Sequence, residues 1–232
     1  SAGNAVRVPY ADDPSPNFAF FVHDGVPAWT GAVQPGVTAV QTFDTNTMRK
    51  VRAYHLLSQS NDVWNCQYNG AFNDGTYRFE GALVVDGKVY DHVRYRVKGQ
   101  NSTYNTGKNK WKFKFNRGHW FEMPDDYGLT TTTIESLNVS SLPSSWAPWN
   151  RGMAGLDEVM QYRLSTLAGV PSPRAAYFQL RVIDDALEQP ATQYDGDFWG
   201  LYIGVENQDN RFKDAHGLPD GNIFRMQSGS NH

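Results

Sequence analysis

Cysteine and long apolar runs are nearly missing from this sequence. Cys66 is the single cysteine among 232 residues, so a disulfide bond within the chain is excluded. No stretch approaches the roughly 20 apolar residues of a membrane-spanning helix, and no cleavable signal segment is visible. We therefore expect no membrane span and interpret Cys66 as a small buried hydrophobic residue.

The signature motifs of several enzyme classes are also missing. A P-loop needs GxxxxGK followed by Ser or Thr, and Gly99 and Gly107 are too far apart to form one. There is no GxGxxG between a predicted strand and helix, and there is no GxSxG. The six histidines form no HExxH motif and no zinc-ligand spacing. The sequence thus predicts no resident metal site.

The overall charge is small, and the composition is rich in aromatic residues and turn formers. Because the net charge is only −3, any site for an anion must be a local one. Aromatic residues make up 14% of the chain, which also contains 21 Gly and 12 Pro. This composition favours a globular fold of strands and loops over a helical bundle or a disordered chain.

The stretch 88–116 holds a local concentration of cations. Two runs in it alternate apolar and cationic residues with the two-residue period of a β-strand. The apolar set is Val93, Tyr95, Val97, Trp111, Phe113 and Phe115. The cationic set, called here the basic sheet face, is Arg94, Arg96, Lys98, Lys110, Lys112 and Lys114. If the runs pair, the apolar face packs on a core, and the basic sheet face either binds a phosphate or polyanion or is an ordinary solvated surface.

The surrounding pattern predicts a three-stranded antiparallel meander over 76–116, with its first turn at Asp86-Gly87. Other strands are predicted at 18–22, 134–139, 174–182, 198–205 and 222–226, the first of them within an irregular arm. The acidic segment 184–197 could offer oxygen ligands to Ca²⁺, but it lacks the EF-hand pattern, which favours a solvated loop.

Helices are fewer in this prediction. The spacing of apolar residues from Met48 to Leu57 predicts a short helix at 47–57, followed by a loop at 58–73. A helical turn is predicted at 211–215. The clearest helix is predicted at 156–167, where apolar residues form one stripe. The stripe consists of Leu156, Val159, Met160, Leu164 and Leu167. An antiparallel meander with one main helix and further antiparallel strands is an α+β fold.

Five motifs between about Phe79 and Ser228 give the chain a family resemblance. They are VRYRVKGQNS at 93–102, GKNKWKFKFN at 107–116, AGVPSPRAAYF at 168–178, GLYIGVENQDNRF at 200–212 and GNIFRMQSG at 221–229. In content and order they resemble the spore-coat protein H (CotH) family of atypical kinases. The resemblance implies a kinase-like nucleotide-binding lobe that binds ATP with Mg²⁺ or Mn²⁺ and phosphorylates proteins.

The resemblance also implies roles for individual residues. Lys112 would be the lysine that contacts the phosphates, with Lys110 and Lys114 as rivals on the same face. Glu158 would pair with Lys112, and Glu206 and Asn207 would lie where the backbone of a hinge reads the adenine edge. The other residues implied in nucleotide binding are Arg96, Lys98, Gln100, Asn101, Ser102 and Lys108.

The chain also departs from the family pattern. Gly107 and Asn109 stand where the family has Pro and Lys. The family's catalytic and metal-binding aspartates lie in a second lobe beyond the last motif, so we expect 76–232 to correspond to the first lobe only. Residues 1–75 would form an N-terminal arm and a short helix that pack on it. No catalytic residue is predicted.

Two functions follow from these observations. One is the ATP-binding lobe of a protein Ser/Thr kinase of secreted or spore- or cell-surface type, with a protein substrate. The alternative is a non-catalytic secreted structural or adhesive module, in which Trp146, Trp149, Trp199 and the basic sheet face contact a carbohydrate or a protein. Nucleic acid is not expected, because a stacking platform needs aromatics and cations on one face, whereas Trp111 and its neighbours lie opposite the lysines.

Overall fold

The structure, a computed structural model, describes residues 51–99, 108–124, 131–142, 155–184 and 197–224, together with the strands β1 (Val6–Pro9), β2 (Ala19–Asp24) and β3 (Val37–Thr42). β1 and β2 pair antiparallel, and β2 and β3 pair parallel. The segment predicted as an irregular arm with one strand therefore contains a three-stranded sheet.

The elements that follow are mostly strands. In chain order they are β4 (Arg52–Leu57), α1 (Ser60–Tyr68), a 3₁₀ turn (Gly70–Phe72), β5 (Phe79–Val85), β6 (Lys88–Lys98), β7 (Lys110–Lys114), β8 (Phe121–Pro124), β9 (Thr131–Ile134), β10 (Ser136–Ser140), α2 (Leu156–Leu167), β11 (Ala175–Ile183), β12 (Phe198–Glu206) and α3 (Asn210–Ala215). The predicted combination of strands and helices is confirmed, with strands in the majority.

Seven of these strands form a closed barrel rather than an open meander. Their order is β10-β12-β11-β4-β5-β6-β7, and β7 pairs back onto β10. All of the pairs are antiparallel except β4 with β11. β8 and β9 form a separate hairpin-like pair. Residues on both sides of the predicted division at 75/76 share this barrel, and the division itself stays a prediction.

The predicted meander is confirmed as β5, β6 and β7, and α2, β11 and β12 also lie where strands and a helix were predicted. Asp86 and Gly87 have φ angles of 49° and 74°, which is the left-handed conformation that a two-residue hairpin turn requires. All six apolar residues of the alternating set are at most 2% exposed. The basic sheet face therefore points out of the barrel.

Three predictions are wrong. A helix was predicted at 47–57, but 52–57 form strand β4, and 47–50 lie outside the described residues. The predicted loop at 58–73 contains α1. Residues 221–224 are not a strand, although one was predicted at 222–226, and 225–226 lie outside the described residues. Apolar spacing predicted a helix in place of β4 because this strand is buried on both faces. A strand of this kind lacks the alternation of apolar and polar residues.

Aromatic side chains fill the barrel. Tyr54 stacks on Phe178 with ring centroids 4.1 Å apart, and Phe115 stacks on Phe121 at 5.0 Å. α1 lies at the edge of this cluster and contributes Val63 and Cys66 to it. The burial predicted for Cys66 is confirmed, and desolvation raises the pKa of its thiol to about 12. No helix in the part of the chain described is long and apolar enough to cross a membrane.

Helix α2 lies outside the barrel, on the sheet formed by β10, β12 and β11. Gly155, which precedes the helix, has φ 70°, and a Cβ atom there would lie 2.5 Å from Ile203 Cδ1. Glycine therefore permits the close approach of the helix start to β12. Val159 packs with Ile203 and Val205 in a small cluster on this outer face. The helix is thus held beside β7, which pairs with β10 and carries part of the basic sheet face.

Candidate functional site

The registers of β6, β7 and β10 align polar side chains in rows across the outside of the barrel. In one row Arg96 is paired with Lys112, and Lys112 is paired with Asn138. In the next row along the strands Lys98 is paired with Lys110. Directly paired residues have side chains on the same face, so four cations form a two-by-two group.

These rows form the wall of a cavity of about 370 Å³, a size within the usual range for small-molecule sites. The second wall comes from α2, and the third from the end of β12 and the residues after it. The lining residues are Arg96, Lys98, Lys110, Lys112, Asn138, Ser140, Glu158, Tyr162, Pro173, Val205, Glu206, Asn207 and Gln208. Six residues predicted to bind the nucleotide therefore lie around one cavity.

Glu158 and Lys112, which were predicted to pair with each other, each form a hydrogen bond with another residue. Ser140 Oγ donates to Glu158 Oε2 at 3.1 Å, which ties α2 to β10. Lys112 Nζ donates to Asn207 Oδ1 at 3.2 Å. Both side chains reach the cavity, but from opposite walls.

The environment of Lys98 disfavours its charge. Burial lowers the pKa of the Lys98 ammonium to about 8, and the positive charges of Lys110 and Lys112 act in the same direction. The carboxylate of Glu158 opposes the shift, and Arg96 adds to it. An anion in the cavity would relieve this repulsion and favour the protonated lysine.

Arg96 is held in place by contacts of its own. Its Nη1 donates to the Val97 carbonyl at 3.0 Å, and its guanidinium carbon lies 5.1 Å from the centroid of the Tyr77 ring. A guanidinium fixed in this way presents its remaining donors in a set direction, which suits a phosphate or carboxylate group.

Glu206 is buried at the edge of the cavity, with its side chain 1% exposed. Its Oε2 accepts hydrogen bonds from the backbone N–H of Arg174 at 3.1 Å and from His216 Nε2 at 3.0 Å. Arg174 Nη1 lies 3.5 Å from the same oxygen. Oε1 has no hydrogen-bond partner within the described residues. The Glu206 carboxylate is thus rigidly oriented, and its Oε1 atom is buried.

Of the four other predicted residues, only Lys108 lies in the described part of the chain, and it does not line this cavity. Lys108 donates to the carbonyl of Leu201, and its ammonium lies 4.1 Å from the centroid of the Tyr202 ring. Burial lowers the pKa of Lys108 to about 8. Gln100, Asn101 and Ser102 lie outside the described residues, as do Trp146 and Trp149.

Sequence reasoning missed four polar residues of the cavity, Asn138, Ser140, Tyr162 and Gln208. Asn138 and Ser140 alternate with the buried Leu137 and Val139, a two-residue period that could have placed them on the outer face. Asn207, which the family resemblance placed with Glu206 at a hinge, follows β12, and no local pattern predicts its contacts in the cavity. Its importance comes from contacts with residues far away in the sequence.

No cluster of three or more His, Cys, Asp or Glu side chains that could hold a metal ion is present in the described segments. A comparison with known protein families found no family that matches this chain, and a comparison with curated proteins found no match. The resemblance to the CotH family therefore stays a prediction.

Proposed function

We propose that this protein binds the phosphate groups of a nucleotide, ATP with Mg²⁺ or Mn²⁺, in the cavity between α2 and the basic sheet face. In this proposal it is the ATP-binding part of a CotH-like protein kinase that acts at a cell or spore surface or in secreted form. The observation that carries the proposal is the group of Arg96, Lys98, Lys110 and Lys112 in one cavity. Such a group suits a ligand with several negative charges.

The other walls of the cavity supply what a nucleotide needs besides positive charge. Asn138 and Ser140 are neutral hydrogen-bonding groups beside the cations. A ligand with a phosphate chain and a polar, uncharged part would use both the cations and these neutral groups.

The test is calorimetric titration of the protein with MgATP, for wild type, Lys112→Ala and Lys114→Ala. A hydrogen bond to a charged group contributes about 1.5–3 kcal/mol, so we expect K112A to weaken binding by about tenfold or more. Lys114 is the matched control, because it lies on the same face of β7 but its ammonium is 3.2 Å from Glu135, outside the cavity lining. K114A should stay within about twofold of wild type.

Absence of MgATP binding to the wild-type protein, or equal effects of the two substitutions, would reject the proposal. Binding should also weaken as salt is raised, because ions screen the attraction between the cations and the phosphates.

The exposed apolar side of α2 favours a second candidate, a non-catalytic surface module that contacts another macromolecule. Leu164 and Leu167 are 59% and 66% exposed, and they lie on the helix that lines the cavity. A sulfated oligosaccharide is the discriminating probe. If it binds and an excess of MgATP does not displace it, the second candidate is favoured. Displacement by MgATP supports the nucleotide site.

A further inference from the structure

Asn207, the residue after β12, joins the basic cavity to a different part of the molecule. Its Oδ1 accepts two hydrogen bonds, from Lys112 Nζ at 3.2 Å and from Asn138 Nδ2 at 3.1 Å. Its Nδ2 donates to Asp209 Oδ2 at 2.7 Å. The amide group is therefore used on both sides, as an acceptor toward the cavity and as a donor away from it.

Asp209 continues this chain of contacts into α3. It is the N-cap of the helix, and its Oδ1 accepts from the backbone N–H groups of Arg211 at 3.0 Å and Phe212 at 3.4 Å. A side chain that caps a helix start satisfies backbone donors that have no partner within the helix. One carboxylate thus connects Asn207 to the first turn of α3.

The other end of α3 is attached to the same edge of the cavity. His216, at the C-cap, contacts Glu206 Oε2 through Nε2 at 3.0 Å and packs on Phe212 with ring centroids 4.1 Å apart. The guanidinium carbon of Arg211 lies 4.1 Å from the centroid of the Trp120 ring. α3 is therefore held at both of its ends by residues 206–209, which lie at the end of β12.

We propose that Asn207 is a positioning residue that orients Lys112 and links the occupancy of the cavity to the order of α3. The part of this proposal that concerns a ligand rests on the proposed nucleotide site. Lys112 has three N–H donors, and its hydrogen bond to Asn207 uses one of them and fixes the position of the ammonium. Because energetic coupling between two sites is reciprocal, a change at Lys112 must alter α3 as much as a change at α3 alters the cavity.

The first experiment needs no ligand. Amide hydrogen exchange of residues 210–216 is measured for wild type, Lys112→Ala and Lys110→Ala. K112A removes a partner of Asn207, and we expect exchange in α3 to speed up by about threefold or more, while amides of α1 stay unchanged. K110A removes an equal charge from the neighbouring row of the same cavity and should leave α3 within about 1.5-fold of wild type.

The second experiment uses MgATP with Asn207→Ala, Asp209→Ser and the double variant. Serine is also a good N-cap residue, so D209S keeps a cap on α3 while it removes the acceptor for Asn207 Nδ2. We expect N207A to weaken MgATP binding by about tenfold and D209S by about threefold. The double variant should bind MgATP no more weakly than N207A, because substitutions in one hydrogen-bond network do not have additive effects. MgATP should slow exchange in α3 of wild type but not of D209S.

The outcomes separate the two proposals. If MgATP fails to bind the wild-type protein, the nucleotide proposal fails, and the ligand-free exchange of K112A still decides whether Lys112 and α3 are coupled. Equal exchange in K112A and K110A overturns the coupling. If MgATP binds, additive losses in N207A and D209S overturn it as well, and so does MgATP-independent exchange of α3 in wild type.

Discussion

Lys98 shares its cavity with three other cations, and its protonation therefore depends on what binds there. The register places Lys98 opposite Lys110 on the outer face, and Glu158 on α2 supplies the opposing negative charge. Burial and the neighbouring cations bring the pKa of Lys98 down to about 8. Below this pH the lysine is charged and favours an anion, and above it the lysine is neutral and contributes little attraction.

We therefore expect the affinity for MgATP to fall by about three- to tenfold between pH 7 and pH 9.5 as Lys98 loses its proton. The ligand does not account for this fall, because the second pKa of a phosphate group is about 6. Calorimetric titrations at several pH values measure the effect. Lys98→Arg is the control, since an arginine stays charged over this range, and its profile should be flat. A fall in K98R as steep as in wild type would assign the titration to another group.

For single residues, the sequence predicted the cations of the site better than it predicted the residues that contact them. The two-residue alternation of Arg96 and Lys98 with Val97 placed both cations on one face, because a strand leaves no other arrangement. Glu158 and Glu206 came from the family resemblance. The bond from Lys112 to Asn207 joins residues 95 positions apart, and local periodicity carries no information about such a contact.

At the scale of single elements, α2 shows that the sequence can predict a helix without predicting which side of the helix is buried. Its apolar stripe predicted the helix correctly, but Val159 is the one stripe residue that is buried, at 9% exposure. Leu156, Met160, Leu164 and Leu167 are 47–66% exposed. The side that faces the cavity carries Glu158 and Tyr162 instead. Periodicity finds the stripe but does not determine which side of the helix packs on the barrel.

Substitutions in α2 test this orientation through the free energy of unfolding, measured by urea denaturation. Val159→Ala should lower it by about 1–2 kcal/mol, because it removes buried methyl groups from a packed cluster. Leu164→Ala should change it by less than about 0.5 kcal/mol, as is usual for exposed positions. A loss in L164A as large as that in V159A would show that the stripe is covered in solution. Dependence of that loss on protein concentration would then identify self-association.

Two other elements show why local patterns were insufficient. β4 lies between parallel β11 and antiparallel β5, and its residues Ala53 to Leu57 are all buried. Its apolar residues then fit a helical spacing as readily as a strand. α1 was missed because its N-cap, Gln59, makes no side-chain cap bond and its polar sequence gives a weak stripe. Tertiary packing, rather than intrinsic propensity, determines that β4 is a strand and that α1 is a helix.

At the scale of the whole molecule, the pairing of β7 with β10 closes the barrel and also completes the basic cavity. The lining residues run from Arg96 to Gln208 and come from four strands, one helix, the segment between α2 and β11, and the segment after β12. Hairpin signals predicted the local pairing of β5 with β6. The parallel pair of β4 and β11, which joins residues more than 120 positions apart in the chain, depends on packing that no local signal contains. The closed barrel was therefore beyond prediction, although the pairing of β5, β6 and β7 and the positions of β10, β11 and β12 were predicted.

This construction predicts that a ligand in the cavity stabilises the entire barrel. No single segment holds enough of the lining to bind on its own, so the unfolded chain should have little affinity for MgATP. A ligand at 100 times its dissociation constant then adds about 2.7 kcal/mol to the free energy of unfolding. For a domain of this size the melting temperature should rise by about 5–10 °C.

Circular dichroism and tryptophan fluorescence should report the same rise, because Trp111 lies inside the barrel that the cavity strands close. K112A should remove about half of the rise or more at the same MgATP concentration, because tenfold weaker binding leaves about 1.4 kcal/mol, while K114A should retain the rise. If fluorescence and circular dichroism shift by different amounts, the strands around the cavity unfold separately from the rest. A barrel whose closing strands also form the ligand site cannot behave in that way, so this outcome would contradict the assignment of the cavity to β6, β7, β10 and β12.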